Sequence, residues 1–258
     1  MRKFGFKIFD NDININPLFL QECVDFAKNK TDVFIELMVT TNCSKENYES
    51  LKTILADTEV RIHAAHSSMG FDAGNKDLEK QNRQIIAMAQ TAADMFNSQT
   101  IVVHAGCGRG EKYINETIRQ FKIFNDARIV VENLPAGADN TFFCGNTAAE
   151  IKHIMQESGC GFCFDFSHAI CAALQMNLDI DKQLSDFFEL KPNVYHLCDG
   201  NINIAEDMHL HFGEGNYPLQ QFLHKYTADN AYITMETGAT LAKHNDLWID
   251  DYNYIKAL

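Results

Sequence analysis

At 258 residues, with 46% apolar and 22% charged residues, the chain has the composition of a folded globular protein, which excludes intrinsic disorder. A formal net charge of −13 supplies no global field for nucleic acid or an anionic membrane. No apolar run approaches the roughly 20 residues of a membrane helix, and the opening MRKFGFKIFDND has no apolar stretch of the secretory type, so a cytoplasmic location with no membrane partner is expected.

Taken in chain order, short β-rich runs alternate with longer helical patterns. Strands are expected at Phe4–Ile8, Val33–Met38, Val60–His63, Thr100–His104, Ile129–Glu132, Gly161–Asp165, Val194–Leu197 and Tyr232–Glu236. Helical patterns follow Pro17 and Ser44. The clearest spans Asp77–Asn97, where Leu78, Ile85, Ile86, Ala89 and Ala93 recur at helical spacing. Others follow Glu111 and Asn146 and lie around Leu184, Gln220 and Asp246. Strand starts about 30 residues apart, with no linker, charge block or internal repeat, predict one α/β domain over residues 1–258, a single (β/α)8 TIM barrel. The one irregular spacing is the long loop Gly200–Pro218 after the seventh strand, at the barrel end where loops carry function.

Six of the eight strands end on a metal-binding residue type: His63 (RIHAAH), His104 (IVVHAG), Glu132 (IVVEN), Asp165 (FCFDFSH), His196 (VYHLCD) and Glu236 (ITMETG). Side chains alternate along a barrel strand, so these groups are expected to converge at the C-terminal rim. Three imidazoles among three carboxylates form a ligand mixture suited to zinc, manganese or iron, and without protons or cations the carboxylates would repel one another. His168 stands three residues beyond Asp165, one step into the following loop. Asp207 and His209 lie in the long loop, two apart, where an extended segment would point both the same way. His66 and His211 are spare imidazoles. The eight cysteines read as free thiols, Cys163 as a core residue, and Cys107 and Cys198 as rim neighbours of the cluster.

In these motifs the sequence resembles the xylose isomerase-like barrels, and within them the AP endonuclease family 2 branch that contains endonuclease IV. The resemblance runs from about His63 to Glu236. It rests on HAG after strand four, VVENLPAG on strand five, GFCFDFSHA on strand six, YHLCD on strand seven, the D-x-H-x-x-x-G-E-G spacing of Asp207 to Gly215, and METG on strand eight. It implies up to three divalent ions, zinc first and manganese or iron as alternatives. One would sit on His63, His104 and Glu132, a second on Glu132, Asp165, His196 and Glu236, and a third on His168, Asp207 and His209.

Such a cluster would hydrolyse a phosphoester, either in abasic-site DNA or in a smaller phosphorylated molecule, with Glu132 and Glu236 as the catalytic carboxylates. The same superfamily contains sugar or sugar-phosphate isomerases and epimerases, which need one ion on Glu132, Asp165, His196 and Glu236. The inward Glu36 of VFIEL resembles the corresponding isomerase strand. Glu36, His66, Arg109, Lys112 and His211 are the expected substrate contacts. The match to a DNA surface is weaker, because strand one matches poorly and the loop VTTNCSKENY offers one Lys and no Arg. On the top face only Lys45, Lys76, Arg109 and Lys112 are basic, while Met69 and Phe71 could wedge into a base stack, although packing on their own barrel is the expected role.

Overall fold

The computed structural model describes residues 1–138, 141–238 and 245–258. Eight parallel strands close a barrel: β1 (Lys3–Phe9), β2 (Val33–Val39), β3 (Val60–Ala64), β4 (Ile101–His104), β5 (Ile129–Glu132), β6 (Gly161–Asp165), β7 (Val194–Leu197) and β8 (Tyr232–Met235), with β1 paired to both β2 and β8. All eight coincide with the expected runs to within a residue at either end. The fold class is therefore the (β/α)8 barrel. Among the described residues no helix is long and apolar enough to cross a membrane.

The helices form the outer ring, and several begin where a side chain caps them. Ser44 accepts from the Asn47 amide at the start of Lys45–Ile54, and Thr147 accepts from Glu150 at the start of Ala148–Ser158. The last helix, Asn245–Ala257, brings Trp248 flat against Phe6 of β1, with ring centroids 5.7 Å apart, and so covers the seam where the barrel closes.

One helix runs against expectation. Phe166–Met176 follows β6 directly and contains His168, so His168 lies on a first helical turn and not in a loop. The segment FSHAICAALQM is apolar on nearly every side because it is wedged between the barrel and Ile180–Phe188, and it therefore carries no amphipathic signal. Its start is fixed by Asp165, whose carboxylate accepts from the His168 amide at 2.7 Å.

Inside the barrel the alternation of side chains builds layers. Val102, Val130, Cys163 and Val194 form an apolar plug of their own. Two residues further along the same four strands stand His104, Glu132, Asp165 and His196. The plug seals the lower barrel from water and sets these four polar side chains immediately above it. Gly5 of β1 leaves the room that the Phe34 ring occupies, since a Cβ at Gly5 would collide with that ring.

Candidate metal centre

Glu132 is the hub of the rim. Its Oε2 lies 3.2 Å from His63 Nε2 and 3.3 Å from His104 Nε2, and its Oε1 lies 3.2 Å from His196 Nδ1 and 3.3 Å from His168 Nδ1. Glu236 Oε1 approaches the same His196 Nδ1 at 2.9 Å. Further out, Asp207 Oδ2 stands 3.2 Å from His168 Nε2 and 2.7 Å from His209 Nε2. The structure thus brings together His63, His104, Glu132, Asp165, His168, His196, Asp207, His209 and Glu236. Their ligand atoms gather in several groups, each within 4.8 Å: His63, His104 and Glu132; Glu132, Asp165 and His168; Glu36, His63, His196 and Glu236; and Cys198, Asp207 and His209.

Four of the imidazoles are steered by what their other nitrogen does. Nδ1 of His63 donates to the Ala64 carbonyl at 2.7 Å, Nδ1 of His168 to Asn133 at 2.9 Å, and Nδ1 of His209 to Glu236 at 2.7 Å. That leaves Nε2 of all three as a lone-pair donor aimed at the cluster. His196 is reversed: Nε2 donates to Glu36 Oε2 at 3.1 Å, which turns Nδ1 inward. A ring nitrogen fixed by a carbonyl or carboxylate while the other faces shared carboxylates is the outer arrangement of metal-binding histidines.

The charges point the same way. Glu36, Glu132, Asp165 and Glu236 are buried and Asp207 is partly buried, while among the described residues the one ammonium beside them is Lys7. Burial opposes ionisation, yet the imidazoles around Glu132 and the His196–Lys7 pair beside Glu236 hold both carboxyls well below the ordinary range. Asp165, with burial foremost and Glu132, Asp207 and Glu236 nearby, is pushed up. His168 and His196 resist burial and are raised by the carboxylates they face. Such an excess of buried carboxylate is what divalent cations neutralise, and the oxygen and imidazole donors fit them.

The expected substrate contacts fare differently. His66 lines the cavity above the cluster, stacked on His104 with centroids 5.1 Å apart; burial and the neighbouring imidazoles hold it down at about 2, so it enters as a neutral ring. Glu36 is fully buried, bonds to His196 and Thr234, and does not line the cavity. His211 is held by Asp251 at 2.7 Å and does not line the cavity. Arg109 and Lys112 line two other surface depressions, because the loop after β4 turns outward before it reaches them. Phe71 is buried against Phe124 and Met69 packs on the same core, which removes both from a base-wedging role. Lys76 lies with Lys112, and the side chain of Lys45 is outside the described residues.

Three contributors are not apparent from the motifs. Lys7 of β1 is buried in the cavity floor, bonded to Glu236 and 3.7 Å from Glu36; despite burial those carboxylates raise its pKa. Its one signal is its place, two residues after Gly5 on the inward face of an apolar run. Asn133 pairs with the Asp165 backbone through both amide atoms, at 2.8 Å each, while its carbonyl holds His168. Asp199 accepts four backbone amides of the long loop, from Gly200, Gly213, Gly215 and Tyr217, at 2.8–3.1 Å. With the Asp199–Leu210 bridge it folds the loop back over the rim. The 207–209 segment is accordingly not extended: His209 adopts φ 47°, and convergence with Asp207 comes from the turn.

The cavity above the cluster measures about 590 Å³ and is walled on one side by Phe9, Ile15 and Met38 of the first two βα units.

Several known proteins are similar to this chain. A probable endonuclease 4 from Mycobacterium ulcerans is 22% identical over 201 residues, covering 75% of this chain and 78% of the relative. Endonuclease IV from Thermus thermophilus superposes with a TM-score of 0.67 at 18% identity, over 99% of this chain and 100% of that one. A 3-keto-D-glucoside 4-epimerase from E. coli superposes equally well, with a TM-score of 0.69 at 14% identity over 100% of both chains. At these identities the superpositions establish the fold. The family model described as xylose isomerase-like TIM barrel matches residues 33–258, and the chain belongs to that family.

Proposed function

We propose that the chain is a metal-dependent phosphoester hydrolase of the endonuclease IV-like kind, with zinc as the first choice of ion and a small phosphorylated molecule favoured over duplex DNA. The observation that carries this is the outer ligand set. Asp207, His209 and His168 converge beside the Glu132 cluster, and His209 and His168 each commit a ring N–H to a backbone carbonyl. A one-ion isomerase or epimerase on Glu132, Asp165, His196 and Glu236 has no use for that set, nor for His63 and His104.

Bound ions would supply Lewis-acid stabilisation of the phosphoryl oxygens and activation of water near neutral pH. Glu132, shared by both inner sets, would fix the spacing between them. Glu236, tied to Lys7 and His196, would hold its ligand oxygen in place. His66, neutral and at the cavity wall, would offer a hydrogen bond to the substrate. The plug beneath keeps bulk water from the lower side.

The test is metal content by elemental analysis after zinc loading and removal of excess, joined to phosphomonoester, phosphodiester and abasic-duplex assays and a sugar panel. Two or three ions per chain with phosphoester hydrolysis support the proposal. One ion per chain with sugar isomerisation overturns it in favour of the isomerase or epimerase.

A further inference from the structure

We propose that Cys198 is a ligand of the outer ion, so that this site is a thiolate site built from Cys198, Asp207 and His209 with His168 beside them. The inference rests on the multi-ion proposal above and goes beyond it: neither the motif resemblance nor the family assigns a metal-binding role to this cysteine.

Four observations carry it. The ligand atoms of Cys198, Asp207 and His209 lie within 4.8 Å of one another. Cys198 is buried and unpaired to any other cysteine, yet it belongs to neither apolar cluster of the protein, whereas Cys23, Cys144 and Cys163 do. Its place is fixed by the backbone, one residue after β7 and one before Asp199, whose clasp folds Asp207 and His209 back onto it. Asp207 keeps one oxygen on Ser167 at 2.6 Å and turns the other toward the imidazoles of His168 and His209. A sulfur, a carboxylate oxygen and two imidazole nitrogens make up the number and type of donors that a tetrahedral zinc site uses.

Two consequences follow. A thiolate makes the outer site selective for zinc, cobalt or ferrous iron over magnesium and manganese, while the inner sets remain oxygen and imidazole sites. Binding replaces the thiol proton with the metal, so filling the site releases one proton from Cys198 to solvent.

The experiment is a cobalt(II) titration of the full chain, cleared of metal by chelator, followed by absorption and by elemental analysis. A near-ultraviolet sulfur-to-cobalt band that saturates with one equivalent and is lost in Cys198→Ser, together with the loss of one ion per chain, is the expected result. Cys171→Ser, also buried and outside both apolar clusters, should keep the band and serves as the folding control. Two or three bound ions with no such band, or a band that survives Cys198→Ser, overturn the thiolate assignment and leave the multi-ion proposal standing. A single ion per chain without the band overturns both. If Cys198→Ser fails to fold, Cys198→Ala is read in the same way.

Discussion

Asp199→Asn isolates the device that holds the long loop. In the parent Oδ1 accepts from Gly200 at 2.8 Å and Tyr217 at 3.1 Å, and Oδ2 from Gly213 at 2.9 Å and Gly215 at 3.1 Å. Asparagine matches the shape but presents an acceptor to only one of these pairs. Its NH2 would face the other two N–H groups in a site that is 2% exposed. Each buried donor left without an acceptor costs about 1–3 kcal/mol, so the substitution should cost about 2–6 kcal/mol in urea unfolding. The clasp has no room to adjust, because Gly215 sits so close that any Cβ there would strike the Gly200 carbonyl and the Asp199 carboxylate. Loosening the loop should release Asp207 and His209 and leave His63, His104 and Glu132 in place. Elemental analysis of the folded variant should then show one ion fewer than the parent. If the variant unfolds within about 1 kcal/mol of the parent and keeps its full complement of ions, the four-point clasp is not what holds the outer ligands.

Two further substitutions probe the inner ligands. Glu36→Gln should weaken ion binding at His196 by about 10–100-fold, measured by competition with a chromogenic chelator, because Glu36 acts as the outer carboxylate that orients that ring. An unchanged affinity would make Glu36 a packing residue only. Lys7→Met leaves Glu236 and Glu36 facing one another without their ammonium, so chelator-treated protein should lose about 3–5 kcal/mol of stability. Zinc should restore most of it, and a variant insensitive to both treatments would refute the charge balance inferred for the cavity floor.

Much of this site is legible in the sequence because a barrel converts strand ends into neighbours. His104, Glu132, Asp165 and His196 each end a short apolar run, and period-two alternation alone places them above Val102, Val130, Cys163 and Val194. Loop geometry is not legible in the same way. Arg109 and Lys112 lie after a barrel strand, as a substrate contact should, yet the chain turns outward there and sends them into separate depressions. Asp207 and His209 do meet, by a left-handed turn at His209 that no periodicity announces. Lys7 is hidden for a different reason. A lone lysine within FGFKIF belongs to no ligand motif, and its partner shows only once β1 is paired with β2, where Lys7 stands opposite Glu36. The helix Phe166–Met176 is obscured by its own burial, since a helix that is apolar on all sides shows no stripe.

The placement of the arginines bears on the size of the substrate. Arg2, Arg61, Arg83, Arg119 and Arg128 are each paired with a carboxylate, and Arg109 lies over the Phe142 ring. None lines the cavity above the cluster, where among the described residues the one lysine or arginine is the buried Lys7. A protein gripping duplex DNA neutralises several phosphates with such side chains, and its affinity then falls steeply with salt, by a logarithmic slope of about −0.9 for each phosphate neutralised. Here the charge of a phosphoester would be met by the ions at the base of a cavity of about 590 Å³, a size suited to a small molecule. Hydrolysis of a small phosphoester should therefore lose less than about tenfold in kcat/KM between 50 and 200 mM salt. Binding to an abasic duplex, where detectable, should show a slope shallower than about −3. A steep slope, corresponding to six or more phosphates, would mean that the lysines outside the cavity track a DNA backbone, and the substrate would then be DNA.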